Sequence, residues 1–484
     1  MSETGAQTTA YVRDTMLPPA PPPSRQGGAV LWLRENLFAG PVNTILTILG
    51  VVIIWAITAN LWDWFAHSVW NAGSLAECRQ IITETWGADA RGACFAVIRD
   101  RWTQFLFGFY PSHLYWRPTM AVGLLMVALA PLLFGPSPGI RRVVLIVTAV
   151  VTLWAMVALS APLAWLAFAA IVLIGGLVLS EKHVGWLLPF SALYPLLGVW
   201  FLWGGSLWGP IFVLVGPVLG WVAWRVLSNI AAPVAVAAAL LIPVLFWVLY
   251  AGPAARDAEN LLSLAIPAVR SDQFGGFVLS ITIGVAGIAL SLPMGIVLAL
   301  ARRSDMILVK ALAVMFIEFI RGVPLITLLF VASLLLNYFL PPGTNFDIIL
   351  RVIIMVTLFA AAYMAEVIRG GLAALPKGQY EAADALGLDY WKAQRLIILP
   401  QALKISIPGI VSTFIGMFKD TTLVTFVALY DPLKSTSDAV RATTDWKGIY
   451  WEPYIFVGAI FFIICFGMSR YSMYLERRLH RDHR

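Results

Sequence analysis

Long apolar runs separated by short polar punctuation organise the chain. They fall at about 43–61, 118–135, 143–159, 162–180, 186–203, 209–224 and 230–250, and then at 275–300, 311–339, 348–368, 398–418 and 453–473. Most are long enough, at about 1.5 Å of rise per residue, to cross most or all of about 30 Å of hydrocarbon. Lipid offers the backbone no hydrogen-bond partner, so these runs are expected to be helices. The expected fold is all-α and polytopic, with about twelve transmembrane helices. Ten is the fallback, because several middle runs are short or narrowly separated.

Composition agrees with the pattern. Of 484 residues 60% are hydrophobic and only 12% charged, where a soluble domain carries about a quarter. A soluble fold, whole-chain disorder and a secreted disulfide scaffold are excluded. The net charge of +7 is no nucleic-acid footprint, since most Lys and Arg flank apolar runs. Residues 1–40 are polar or Pro-rich, with L-P-P-A-P-P-P-S at 17–24, and read as a disordered cytoplasmic tail rather than a cleaved signal. With the N-terminus inside, 19 Lys and Arg fall in cytoplasmic segments and ten outside. The bias places both termini in the cytoplasm, including the basic tail 476–484.

The region 41–250 is almost free of charge within its spans and reads as an accessory transmembrane region. Its outer loop, 62–117, is rich in Trp, which favours the membrane interface. Cys78 and Cys94 share that loop and are either a disulfide in an oxidising compartment or two buried thiols; Cys465 reads as core packing. Breakers at 251–274 mark an outer linker. In 275–475 charged residues enter the spans, where they are costly and therefore functional candidates.

One cytoplasmic loop, 376–398, has helix-capping grammar. Pro376 redirects the preceding helix, Gln379 to Leu386 form a helix, and Gly387 suits a left-handed C-terminal turn. Asp389 is a good N-cap for a second helix through Tyr390 to Ile398. Ala382, Ala383 and Leu386 give the first helix a small apolar face, which either docks into another protein's groove or packs on its own bundle. Two E-x-x-R-G units, Glu318–Arg321–Gly322 and Glu366–Arg369–Gly370, place each pair on one helix face. They are intrahelical ion pairs, or a substrate path or gate, with Glu318 and Arg321 deeper and Pro324 kinking their span. Lys419, Asp420, Thr421 and Thr422 end another span. They contact an amino acid or hold an outer gate, or form a polar helix end with its own Lys–Asp pair. The outer loop from Asp431 to about 452 carries Asp438, Arg441 and Lys447.

Glu381-Ala382-Ala383 with Gly387, followed by Leu399-Pro400-Gln401-Ala402, resembles the E-A-A…G loop of ABC-importer permeases. I-E-F-I-R-G-V-P-L (317–325), A-Y-M-A-E-V-I-R-G (362–370), P-K-G-Q-Y-E-A-A (376–383) and F-K-D-T-T-L-V (418–424) resemble the polar amino-acid branch. Within it, the chain is most like the M-type permease subunit of the general L-amino-acid transporter. The resemblance covers about 275–475 and implies a five-helix type I ABC importer permease core, importing L-amino acids across the bacterial inner membrane by alternating access. It implies that 376–398 is a coupling loop, with Tyr380, Glu381, Ala382, Ala383, Leu386 and Gly387 meeting a cytoplasmic ATPase. It also implies the partners: a second homologous permease, so a heterodimer, two ATP-binding subunits, and a periplasmic amino-acid-binding protein that touches down on the outer loop. No G-x-x-x-x-G-K-[ST] phosphate loop is present, so ATP and Mg belong to the partner, and this chain is a transport subunit without cofactor or metal of its own.

Two other classes fit the sequence less well. Buried Glu318 and Glu366 suit an ion-coupled carrier, but such a carrier needs no docking loop. The five histidines, His67, His113, His183, His480 and His483, form no metal-ligand pair within a span, which argues against a membrane-embedded enzyme.

Overall fold

The computed structural model describes residues 29–335, 338 and 346–481. The proline tract at 17–24 lies outside the described residues. Part of the expected disordered tail is helical instead: α1 covers Ala29–Asn36. Then come α2, Pro41–Ala66, with Pro41 in its first turn where no amide partner is needed, α3, Leu75–Trp86, and α4, Ala96–Phe107.

The chain forms two compact units. The first comprises residues up to Val69 together with Glu77–Cys94. Here Cys78 and Cys94 are joined as a disulfide, with Cα atoms 6.2 Å apart. Val69 bridges Cys94, and the His67 ring lies 5.1 Å from Trp86.

The second unit holds everything else. Its accessory helices are α5 (Trp116–Phe134), α6 (Pro138–Ala158), α7 (Leu163–Lys182) and α8 (Leu187–Trp203). They bury Met120, Leu124, Leu145, Met156, Leu173 and Phe201 in one cluster. Arg117 is fully buried and donates to the carbonyls of Phe201 (2.7 Å) and Pro267 (2.7 Å). A buried cation is thus held at the negative end of α8 instead of by a carboxylate. After α9 (Trp208–Leu227) comes α10 (Ala232–Phe246), which passes through a π turn into α11 (Gly252–Leu261). The first residues of the expected linker are therefore helical. Two-residue strands β1 (Gly205–Ser206) and β2 (Ala265–Ile266) pair antiparallel.

The remaining helices are α12 (Gly276–Arg302), α13 (Ile307–Gly322), α14 (Leu325–Phe330), α15 (Ile348–Ala373), α16 (Lys377–Ala385), α17 (Tyr390–Ala393), α18 (Leu399–Asp420), α19 (Pro432–Ala442) and α20 (Trp451–Arg481). Among the described residues, eleven helices are long and apolar enough to cross a membrane, and twelve if one bent pair counts as a single span. That pair corrects the expectation of a continuous run over 311–339. The segments Ile307–Gly322 and Leu325–Leu335 meet at 103°. Pro324 cannot donate an amide and pushes Val323 to extended backbone (ψ 131°), so the helix stops instead of kinking.

Small residues let the core helices approach closely. Gly371 of α15 lies directly under the Ala402 carbonyl and Ser406 of α18, and Gly295 of α12 lies under Met364. Within the second unit, α4 and the turn between α5 and α6 are tied to the core helices. Trp446 Nε1 donates to Asp100 Oδ2 of α4 (2.8 Å), and within the core the Gly276 amide, at φ +56°, bonds the Tyr430 carbonyl (2.8 Å). Arg478 of α20 donates to Ser137 Oγ (2.6 Å) and the Pro136 carbonyl (3.1 Å).

Candidate functional site

The loop 376–398 forms largely as its capping residues require. α16 ends at Ala385, and Gly387 follows at φ +65°, a left-handed value that glycine adopts without a Cβ penalty. Asp389 Oδ1 accepts the Lys392 amide (2.9 Å), and its carboxyl is held below the ordinary aspartate range chiefly by that bond and by the Lys392 ammonium at 3.0 Å. The second helix is not separate from the following span. α17 runs through a π turn, Gln394–Ile398, straight into α18. The wider turn accommodates Pro400, which has no amide to give the ladder.

The expected three-residue apolar face divides. Ala382 and Leu386 are exposed, as is Glu381, but Ala383 is 1% exposed and packs on its own chain. Packing on its own bundle thus holds for Ala383, while Ala382 and Leu386 are left uncovered by their own chain. Its inner side is pinned by Arg303 Nη1 to Tyr380 Oη (3.0 Å), with the guanidinium 5.5 Å from the Tyr380 ring centroid, and by Gln401 to Gln379 (2.9 Å).

Beside the loop, charges from three helices converge. Arg302, at the end of α12, reaches Glu318 Oε1 of α13 (2.7 Å) and Glu366 Oε1 of α15 (2.9 Å). Glu366 Oε2 also meets Arg369 (3.0 Å) and, more distantly, Arg321 (3.8 Å). Of the two expected intrahelical pairs, Glu366–Arg369 forms. Glu318 takes Arg302 in place of Arg321, whose guanidinium stacks over Tyr363 (5.5 Å). The expected difference in depth is also overturned, because one arginine touches both carboxylates. Sequence reasoning counted Arg302 only as a positive flank. Its place in the last turn of a helix was the available signal, but its partners are 16 and 64 positions away.

The Lys419–Thr422 group does not converge on an open site. Thr421 is fully buried and its hydroxyl bonds the Phe418 carbonyl (2.7 Å), while the Thr422 hydroxyl bonds the Lys419 carbonyl (2.9 Å). No ion pair joins Lys419 to Asp420 among the described residues. The expected outer loop contains α19, capped by fully buried Asp431, which accepts the amides of Leu433 (3.0 Å) and Lys434 (3.1 Å). Lys434 pairs with Asp438 (3.1 Å), and Arg441 and Lys447 are exposed.

Burial pushes the Asp431 carboxyl up from 3.8 to about 6 despite those amides. A raised acid favours the folded state fully below the unfolded value and loses that contribution as pH climbs through the folded value. Between pH 4 and 6 the melting temperature of the purified parent should therefore fall relative to that of Asp431→Asn as pH rises. Parallel curves across that window would refute this assignment.

Comparison with known proteins follows the same geometry. The family described as "Binding-protein-dependent transport system inner membrane component" matches residues 291–481, which contain the loop and the ionic cluster. The glutamate/glutamine/aspartate/asparagine transport system permease protein BztC of Rhodobacter capsulatus is 56% identical over 98% of this chain and 99% of its own. The inner membrane amino-acid ABC transporter permease protein YhdY of Escherichia coli K12 is 35% identical over 96% of each chain. A solved structure titled "Crystal structure of an amino acid ABC transporter with histidines" is 31% identical over 42% of this chain and 91% of that one, with a TM-score of 0.37. Fold and site thus define an importer permease, a multi-pass integral membrane protein. The chain belongs to the polar amino-acid ABC transporter permease family, as a permease subunit of an amino-acid importer.

Proposed function

We propose that this chain moves L-amino acids across the bacterial inner membrane by alternating access, driven by ATP hydrolysed with Mg on partner subunits. The carrying observation is the two-sided α16: Glu381, Ala382 and Leu386 are open on one side, and Ala383 and Tyr380 are tied to the bundle on the other. A short helix fixed on one side and free on the other transmits a push from a docked ATPase to α12, α15 and α18. The ionic cluster of Arg302, Glu318, Arg321, Glu366 and Arg369 joins α12, α13 and α15 and acts as a latch that re-pairs as the spans move. Lys419 and Asp420 remain candidates for the outer end of the path. The acidic and amide amino acids named for the full-length relative are the first substrates to try.

The assembly is a heterodimer with a second homologous permease, plus two ATP-binding subunits and a periplasmic binding protein that lands near Arg441 and Lys447. Both termini are cytoplasmic. The Lys and Arg bias supports this, as does the Cys78–Cys94 disulfide in the outer loop, since such bonds persist in oxidising compartments.

A pull-down tests the reading. The tagged chain is expressed with its chromosomal neighbours, extracted in mild detergent, and its companions are identified by mass. Glu381→Arg should lose the ATPase and keep the second permease. Retention of the ATPase by both Glu381→Arg and Leu386→Asp would sink the coupling role.

A further inference from the structure

On the inner side of α16, where Ala383 sits, lies a cavity of about 310 Å³. Its walls include Leu300 and Arg303 from the end of α12, Leu372 from α15, Tyr380 and Asp384 from α16, and Gln394 from the π turn. The volume is at the small end of the range for ligand sites. Gln394 is 7% exposed, and its Oε1 has no hydrogen-bond partner. Buried polar atoms in native proteins are normally bonded, and an exception at a cavity wall points to a missing donor. The cavity also offers both kinds of polar group. Arg303 keeps guanidinium N–H groups beyond the one given to Tyr380, while Asp384 and the Gln394 carbonyl oxygen accept. A ligand that satisfies all of them carries an anion and an N–H cation a few atoms apart, with an apolar remainder against Leu300 and Leu372. That is the chemistry of an α-amino acid, and it is shared by the headgroup of an ethanolamine phospholipid.

We propose that this cavity binds a free α-amino acid from the cytoplasm, its carboxylate on Arg303 and its ammonium between Asp384 and Gln394 Oε1. The bound molecule joins α12, α15, α16 and the π turn, so it holds α16 in one position and slows import of more of the same product. The binding stands on the cavity alone; the slowing rests on the coupling role proposed above.

The test uses the assembled importer in phosphatidylcholine nanodiscs without its binding protein, titrated calorimetrically with L-glutamine. Saturable binding is expected, weakened at least tenfold by Gln394→Leu and by Arg303→Gln. Gln394→Glu, which keeps an acceptor, should retain it. Unliganded melting temperatures close to the parent's show that the variants are folded. No binding to the parent, or equal binding to parent and Gln394→Leu, overturns the site. Competition from phosphatidylethanolamine in the disc assigns the cavity to a lipid headgroup and overturns the amino-acid ligand. In a second arm, hydrolysis stimulated by loaded binding protein should fall several-fold as L-glutamine is raised in the parent, and not in Gln394→Leu. Unchanged hydrolysis despite binding overturns the slowing. Failure of the coupling role is visible separately, as an ATPase that stays with Glu381→Arg while calorimetric binding is unaffected.

Discussion

Glu366→Gln should destabilise the detergent-purified protein by about 3 kcal/mol, several degrees of melting temperature, while Glu318→Gln should shift the melting temperature far less. Both residues touch Arg302, so contact alone does not separate them. Their surroundings do. The Glu366 side chain is 17% exposed and lies within reach of Arg302, Arg321 and Arg369, whereas Glu318 is 53% exposed and has Arg302 alone at short range. Neutralising Glu366 leaves three guanidinium groups crowded around an amide that answers none of their charge. Neutralising Glu318 leaves Arg302 with its second carboxylate, and water screens the rest. Removing Arg302 as well should return part of the loss, because the double variant no longer holds an arginine against an uncharged partner. Equal melting shifts for the two single variants would contradict this ordering and the latch built on it.

Replacing Gly387 by Leu should lower amino-acid uptake about tenfold, and Gly387→Asn should leave it near the parent's. A left-handed backbone costs an ordinary L-residue about 1–2 kcal/mol, and asparagine tolerates it better. At φ +65° the elbow meets no atom within 4 Å of an added Cβ, so conformation alone sets the penalty. An energy of about 1.4 kcal/mol is a tenfold change in a population ratio, and it falls on the placement of α16 while the spans stay folded. The proposed second permease should therefore still co-purify with Gly387→Leu. Uptake by the Leu variant equal to that of the Asn variant would show that the elbow's geometry is not what coupling requires.

Much of this was legible because it is local. Apolar runs announce spans, and a glycine after a helix followed by an aspartate announces an elbow and a cap; Gly387 and Asp389 fall where those rules place them. Glu366 and Arg369, three apart on one helix, meet as spacing requires. What escaped depends on distant segments. Arg302 gathers both carboxylates because α12, α13 and α15 pack together, and the sequence carries no period that encodes that packing or the 103° bend after α13. Ala383 resembles Ala382 in every local respect, and only the bundle behind it makes one buried and the other free. The unpartnered oxygen of Gln394 is visible only once its neighbours are known.

The Trp446–Asp100 bond has a consequence for the birth of the protein. Its partners are 346 positions apart. At about 5–20 residues per second of synthesis, α4 emerges roughly 20–70 s before the indole it binds exists. Until α12 is made, the face of α4 that will carry α12, α19 and α20 has nothing of its own chain to cover it, and the part that carries α19 and α20 stays open to the end of that interval. The cell must keep an early segment soluble, or shielded by the translocation machinery, until the last tenth of the polypeptide arrives. A truncated or stalled copy is thus more than an inactive permease: it displays an uncovered surface and is a natural target for quality control.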